Sequence, residues 1–141
     1  MAGALCPGDS LMLVGDLGMG KTTLVRGLAR GLGVGIMVKS PTFALHLTYP
    51  GRVPLHHLDL YRLSSLRDIH ELGLDDFLGR DGVCVIEWAE RLQTFPDGSI
   101  RIDFSEEDDN LRRLRFSGPQ EPLMRLSESL GTPLKPLGAS S

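Results

Sequence analysis

A chain of 141 residues has the length of one ordinary domain, and 41% hydrophobic against 23% charged residues is the balance of a globular protein with a sizeable core. A net charge of -3 argues against a broadly basic nucleic-acid surface, and two cysteines without a CxxC pair support neither a disulfide framework nor a zinc site. No apolar run approaches the roughly 20 residues of a membrane helix, and MAGALCPGDS lacks the basic and apolar regions of a signal peptide, so no membrane partner and a cytoplasmic location are expected.

Leu11 to Val14 is a short apolar run closed by Gly15, the pattern of a buried strand. From Thr22 to Leu32, the residues Leu24, Val25, Leu28, Ala29 and Leu32 recur at helical spacing, and Gly33 is placed to end that helix. A loop over Gly33 to Pro41 follows, then a moderately alternating stretch from Phe43 to Tyr49, a turn at YPGRVP and a further strand in LHHLDLYRL. Ser64 or Ser65 can cap a helix running to about Leu72, with a Gly-Leu break before DDFLG. Val83 to Glu87 is apolar until its last residue and is the best candidate for a central parallel strand, with Cys84 a buried free thiol inside it. SIRIDF and LRRLRFS read as two alternating strands joined by the acidic EEDDN, with Ile100, Ile102 and Phe104 inward and Arg101 and Asp103 outward. Leu123 to Leu130 forms a last short helix. One domain over 1–130 and a flexible tail over 131–141 are expected.

Between the first strand and the first helix, Gly15, Gly20, Lys21 and Thr22 complete G-x-x-x-x-G-K-T. The glycines let the backbone curl so that successive N–H groups point at phosphate oxygens, and Gly18 adds freedom inside the turn. Lys21 brings a point charge to the β- and γ-phosphates, the Thr22 hydroxyl is placed to bind Mg²⁺, and the helix contributes its positive end. With strands alternating with helices, this predicts a P-loop NTPase-like α/β fold: a mostly parallel sheet flanked by helices, with an antiparallel hairpin near the C-terminus.

Two acids compete for the second metal position. Glu87 ends VCVIE and Asp59 follows LHHL; either carboxylate, at the carboxyl end of a strand, could hold Mg²⁺ directly or through water, and either could equally be a solvated strand-end acid. His46, His56, His57 and His70 show no metal-ligand spacing beyond the adjacent pair and read as packing or surface residues. On the same footing Trp88 reads as packing, and Arg112, Arg113 and Arg115 as a solvated strand face.

GDLGMGKTTLVRGLARGLG, VKSPTF, HHLDLYRL and VCVIEWAERL occur in the order and spacing of the TsaE (YjeE) family of bacterial P-loop ATPases. The chain resembles that family over about residues 8–92 and more weakly over the hairpin at 99–117. A P-loop alone is generic; SPTF, HLDLYRL and IEW behind it make the resemblance specific. It implies an ATP hydrolase using ATP and Mg²⁺, accessory to the making of threonylcarbamoyladenosine in tRNA. Its implied partners are TsaB and TsaD, with TsaD transferring the group and tRNA reached indirectly through them. Matched residue by residue, the phosphate loop covers Gly15, Asp16, Leu17, Gly18, Met19, Gly20, Lys21, Thr22 and Thr23, with Thr22 and Glu87 as Mg²⁺ ligands. Thr42 resembles a switch-type residue near the γ-phosphate, and Asp59 the family's aspartate that would orient the attacking water. Trp88 becomes a functional candidate, and Arg112 resembles a hairpin arginine near the nucleotide.

TsaE-like chains usually carry another strand and helix ahead of the phosphate-loop strand, part of which helps hold adenine. Ten residues precede Leu11 here, and the expectation is a site that holds phosphates better than it tells adenine from guanine. With no obvious arginine finger beside the site, slow hydrolysis in isolation is expected, with partner contact ordering the KSPTF loop. Two rivals stand beside this reading. A small-molecule kinase would need an Arg-rich lid, for which SSLRDIHELGLDDFLGRDG is too acidic; the other rival is a non-hydrolysing nucleotide-dependent interaction module.

Overall fold

The two most uniformly apolar runs of the chain, Ser10–Val14 (β1) and Val83–Glu87 (β4), lie side by side as parallel strands, with Leu11 opposite Val85 and Leu13 opposite Glu87. Strands buried on both faces need no polar alternation, and this pair forms the middle of the sheet. The structure, a computed structural model, describes residues 1–16, 18–39, 45–63, 65–79 and 81–134. Around the central pair stand β2 (His46–Tyr49), β3 (Leu55–Asp59), β5 (Ile100–Asp108) and β6 (Leu111–Ser117), in the spatial order β2-β3-β4-β1-β5-β6. The four inner strands are parallel, while β2 and β6 run antiparallel to their neighbours at the two edges.

Each face of the sheet has its own apolar layer. Leu11, Leu13, Leu55, Val83, Val85 and Ile102 meet Val25, Leu28 and Ala29 of α1 (Lys21–Gly31) and Leu123 and Leu126 of α3 (Gln120–Leu130). On the other face Met12, Leu58, Cys84 and Ile86 are covered by Leu60, Leu63 and Ala89, and by half-buried Ile69 of α2 (Leu66–Glu71). Burial pushes the Cys84 thiol up to about 12. Each fully buried leucine contributes about 1.5–3 kcal/mol, so the two layers supply the fold's main driving force. Gly33, at φ 80°, turns the chain out of α1 as expected. Of the two serines before α2, it is Ser65 whose Oγ accepts from Asp68 N at 3.1 Å; Ser64 lies outside the described residues.

Two expectations need correction. The acidic EEDDN is mostly strand rather than loop, because β5 continues to Asp108 and leaves only Asp109 and Asn110 to turn. Acidic residues are poor strand formers, but here the register sets Glu106 opposite Arg112, and Glu107 accepts from Arg113 at 2.5 Å. Asp108 Oδ1 closes the turn by accepting from Asn110 N and Leu111 N at 2.9 and 3.0 Å. The last helix begins at Gln120 rather than Leu123, adding a turn ahead of its buried leucines. Arg125 on that helix grips Asp9 at 3.0 and 3.2 Å and so ties the segment ahead of β1, with its 3-10 turn at Ala2–Ala4, to α3. Of the expected tail, 131–134 is described and Leu134 packs against the core; 135–141 lies outside the described residues. Among the described residues no helix is long and apolar enough to cross a membrane.

Candidate phosphate and metal site

Three parallel strands end at one edge, and each delivers a residue there. β1 runs into Gly15, β3 ends at Asp59 and β4 at Glu87, with Asp59 and Glu87 in register. The chain leaves β1 through Gly15, Gly18 and Gly20 at φ 153°, 81° and 96°, backbone that a side chain would strain. Gly20 is also the N-cap of α1, so the loop opens directly onto a helix N-terminus. Within the predicted cradle Asp16, Met19 and Thr23 are described; Leu17 lies outside the described residues, as does Thr42.

Lys21 opens α1 and is almost wholly buried. Its Nζ donates to Gly15 O and to Asp16 O, the latter at 3.3 Å, and sits 3.8 Å from the centroid of the Trp88 ring. Burial pulls its pKa below the usual lysine range, while Glu90, Glu87, Asp59 and Asp16 act in the other direction. Trp88 is held in turn against Tyr61, with ring centroids 4.8 Å apart, and its backbone takes a left-handed φ of 57°. A bulky residue in that region is costly, and such cost concentrates at functional sites. Glu90, two residues on, accepts from Gly15 N at 3.1 Å and braces the base of the loop.

Of the two candidate acids, Glu87 is the one that meets the first turn of α1. Thr22 Oγ1 donates to Glu87 Oε1 at 2.9 Å, so the first-turn hydroxyl and the β4 carboxylate converge. Asp59 stands one strand away, half-buried, with Oδ1 accepting from Tyr61 N at 2.9 Å. The second oxygen of Glu87 is also taken: His57 Nε2 donates to Oε2 at 2.6 Å, with both residues buried. His57 is thus buried, in line with a packing role, and the sequence reading did not foresee its contact with Glu87. The available signal was its place two residues before Asp59, on the same face of β3.

The structure thus brings together Lys21, Thr22, Asp59, Glu87 and Trp88. Arg112 lies elsewhere, on the β5–β6 side of the loop. There it pairs with Glu106 at 3.5 Å and borders a groove of about 740 Å³ shared with Met19, Gly20, Thr23, Phe104 and Leu114.

A largely parallel sheet whose central strand passes through a glycine loop into a helix opening on Lys and Thr is the fold of P-loop nucleotide-binding proteins. The sequence profile of the family described as "Threonylcarbamoyl adenosine biosynthesis protein TsaE" matches residues 1–114. The chain is 39% identical over 126 residues to the tRNA threonylcarbamoyladenosine biosynthesis protein TsaE of Bacillus subtilis, a match that covers 88% of this chain and 78% of that protein. To the protein of the same name in Streptomyces coelicolor it is 49% identical over 107 residues, 72% of each chain. A crystal structure of Bacillus subtilis YdiB superposes with a TM-score of 0.72 at 34% identity, over 92% of this chain and 82% of that one. The chain belongs to the TsaE family.

Proposed function

We propose that this chain is a cytoplasmic ATPase that binds Mg-ATP at the carboxyl edge of its sheet and hydrolyses it slowly alone. We further propose that it serves the threonylcarbamoyladenosine modification of tRNA as an accessory to a TsaB–TsaD pair, with tRNA reached through those partners. The relatives' names support the pathway. The observation that carries the chemistry is the convergence of Thr22 Oγ1 and Glu87 Oε1 at 2.9 Å beside Lys21.

The donor set fits the proposed cofactor. Magnesium prefers hard oxygen ligands, keeps several waters and needs only one or two protein groups, and a threonine hydroxyl beside a carboxylate meets that demand. When bound, the ion neutralises charge on the β- and γ-phosphate oxygens. Lys21 adds a cation at the same oxygens, and the loop N–H groups with the α1 N-terminus complete the cradle. Trp88 keeps the Lys21 ammonium over the site. Asp59, in register with Glu87, is the residue proposed to orient the attacking water, a task of positioning more than of basicity. Thr42 keeps its proposed place near the γ-phosphate, and Arg112 borders the groove proposed to take the base. Partner contact would complete the site, and turnover would reset the TsaB–TsaD complex rather than supply the transferred group.

Trp88 is the single tryptophan and stands over Lys21, so its fluorescence reports on the site. Titration with Mg-ATP is expected to change that emission saturably in the parent chain, weakly in Lys21→Ala, and with lost Mg²⁺ dependence in Glu87→Gln. Mg²⁺ dependence unchanged in Glu87→Gln would overturn the metal assignment.

A further inference from the structure

The sheet face beneath α1 is apolar along its length, with Leu11, Leu13, Leu55, Val83 and Val85 all buried in one layer. Into the same layer β3 projects His57, 0% exposed, next to Glu87, 2% exposed. Burying an imidazole and a carboxylate is unfavourable unless each finds a partner, and an apolar pair of similar volume would serve the fold as well. The pair is therefore better explained by what it does at the strand ends than by packing.

We propose that His57 is a positioning residue for the divalent cation. A glutamate side chain has three rotatable torsions, and one contact leaves its carboxylate free to swing. In this structure the two oxygens have different anchors: Oε2 accepts from His57 Nε2 at 2.6 Å, and Oε1 accepts from Thr22 Oγ1 at 2.9 Å. His57 thereby fixes the carboxylate plane and leaves Oε1, the oxygen already beside Thr22, as the one presented to the ion. The parallel register that pairs His57 with Val85 and Asp59 with Glu87 makes this geometry rigid, since both partners sit on paired strands rather than loops. The inference rests on the reading of Thr22 and Glu87 as Mg²⁺ ligands, and it assigns His57 no contact with nucleotide or metal.

The test uses the full chain, with Trp88 emission reading ATP binding in EDTA and across a MgCl₂ series, and Mn²⁺ binding followed by its paramagnetic resonance signal. Loss of an outer-shell partner weakens metal sites by about 10–100-fold. His57→Leu, which keeps the volume and removes the donor, is expected to raise the half-saturating Mg²⁺ and the Mn²⁺ dissociation constant by about that factor. ATP affinity in EDTA should stay within about twofold of the parent, and His57→Gln, whose amide N–H reaches Oε2, should recover most of the loss. Equal weakening of ATP binding with and without Mg²⁺ would make His57 merely structural and overturn the proposal. If Glu87→Gln shifts the Mg²⁺ dependence and His57→Leu does not, the metal assignment stands and the positioning role falls. If Glu87→Gln shifts nothing, both fall. Should His57→Leu not fold, His57→Gln against His57→Asn carries the same comparison. The shorter amide of Asn must show the metal defect and the longer one must not; identical behaviour of the two overturns the proposal.

Discussion

Replacing Gly15 with alanine tests how closely the phosphate loop is built against the rest of the sheet. A Cβ at this position would stand 2.9 Å from Phe104 Cβ and 3.0 Å from Phe104 O, atoms of β5 that cannot swing aside. Overpacking of this kind costs about 1–3 kcal/mol, and holding a side chain at positive φ adds about 1 kcal/mol or more, so a loss of roughly 2–4 kcal/mol is expected. Gly18→Ala is the internal control: φ is +81° there too, but no atom lies within 4 Å of the added carbon. Only the backbone term of about 1–2 kcal/mol applies to it. With a urea m-value of about 2 kcal/mol per molar, the unfolding midpoint should fall by about 1–2 M for Gly15→Ala and about 0.5–1 M for Gly18→Ala. Urea titration followed by far-UV circular dichroism, without nucleotide, reads both. A Gly15→Ala midpoint at or above that of Gly18→Ala would refute the close approach of loop and β5.

Three further outcomes follow from the same geometry. Burial holds the folded-state pKa of Lys21 below the 10.5 of an ordinary lysine, so its stability penalty is fully present below that lowered pKa. The penalty fades as pH rises through the folded pKa toward the unfolded one, because the unfolded chain then binds more protons. The unfolding free energy of the nucleotide-free parent minus that of Lys21→Met should therefore climb with alkaline pH, and a falling difference would contradict the burial. With its thiol near 12, Cys84 should resist Ellman's reagent at pH 8, while exposed Cys6 reacts; one thiol should titrate in the folded chain and two in guanidinium. The groove beside Arg112 is bordered mainly by apolar side chains, and such walls discriminate between similar ligands by about 10–200-fold rather than ten-thousandfold. Competition between ATP and GTP at the Trp88 signal should fall within that range; complete rejection of GTP would show a hydrogen-bonded readout of the base.

Local pattern carried much of this fold, and the limits of that pattern have physical causes. The P-loop, the Val83–Glu87 strand and the cap before α2 were legible because each depends on residues within one turn or one strand of each other. Local pattern did not choose between Asp59 and Glu87, since both end strands; only the family resemblance pointed to Glu87, and in three dimensions it is Glu87 that meets Thr22. His57 was hidden for the same reason: its partner is 30 residues away, brought alongside by a parallel pairing that leaves no local signature. The extension of β5 through Glu106 and Glu107 was missed because acidic residues suggest a loop until the arginines opposite them are placed in register. The Lys21–Trp88 contact likewise arises only where the β4 end meets the α1 start.

The edge formed by Lys21, Thr22, Asp59 and Glu87 is proposed to turn over Mg-ATP in the service of partner proteins. Its most direct test is Mg²⁺-dependent phosphate release from ATP by this chain, alone and with purified TsaB and TsaD. Slow release alone, a clear stimulation by the pair, and loss of both in Lys21→Ala are expected. A folded chain that shows no stimulation, or release that survives Lys21→Ala, would contradict the proposal.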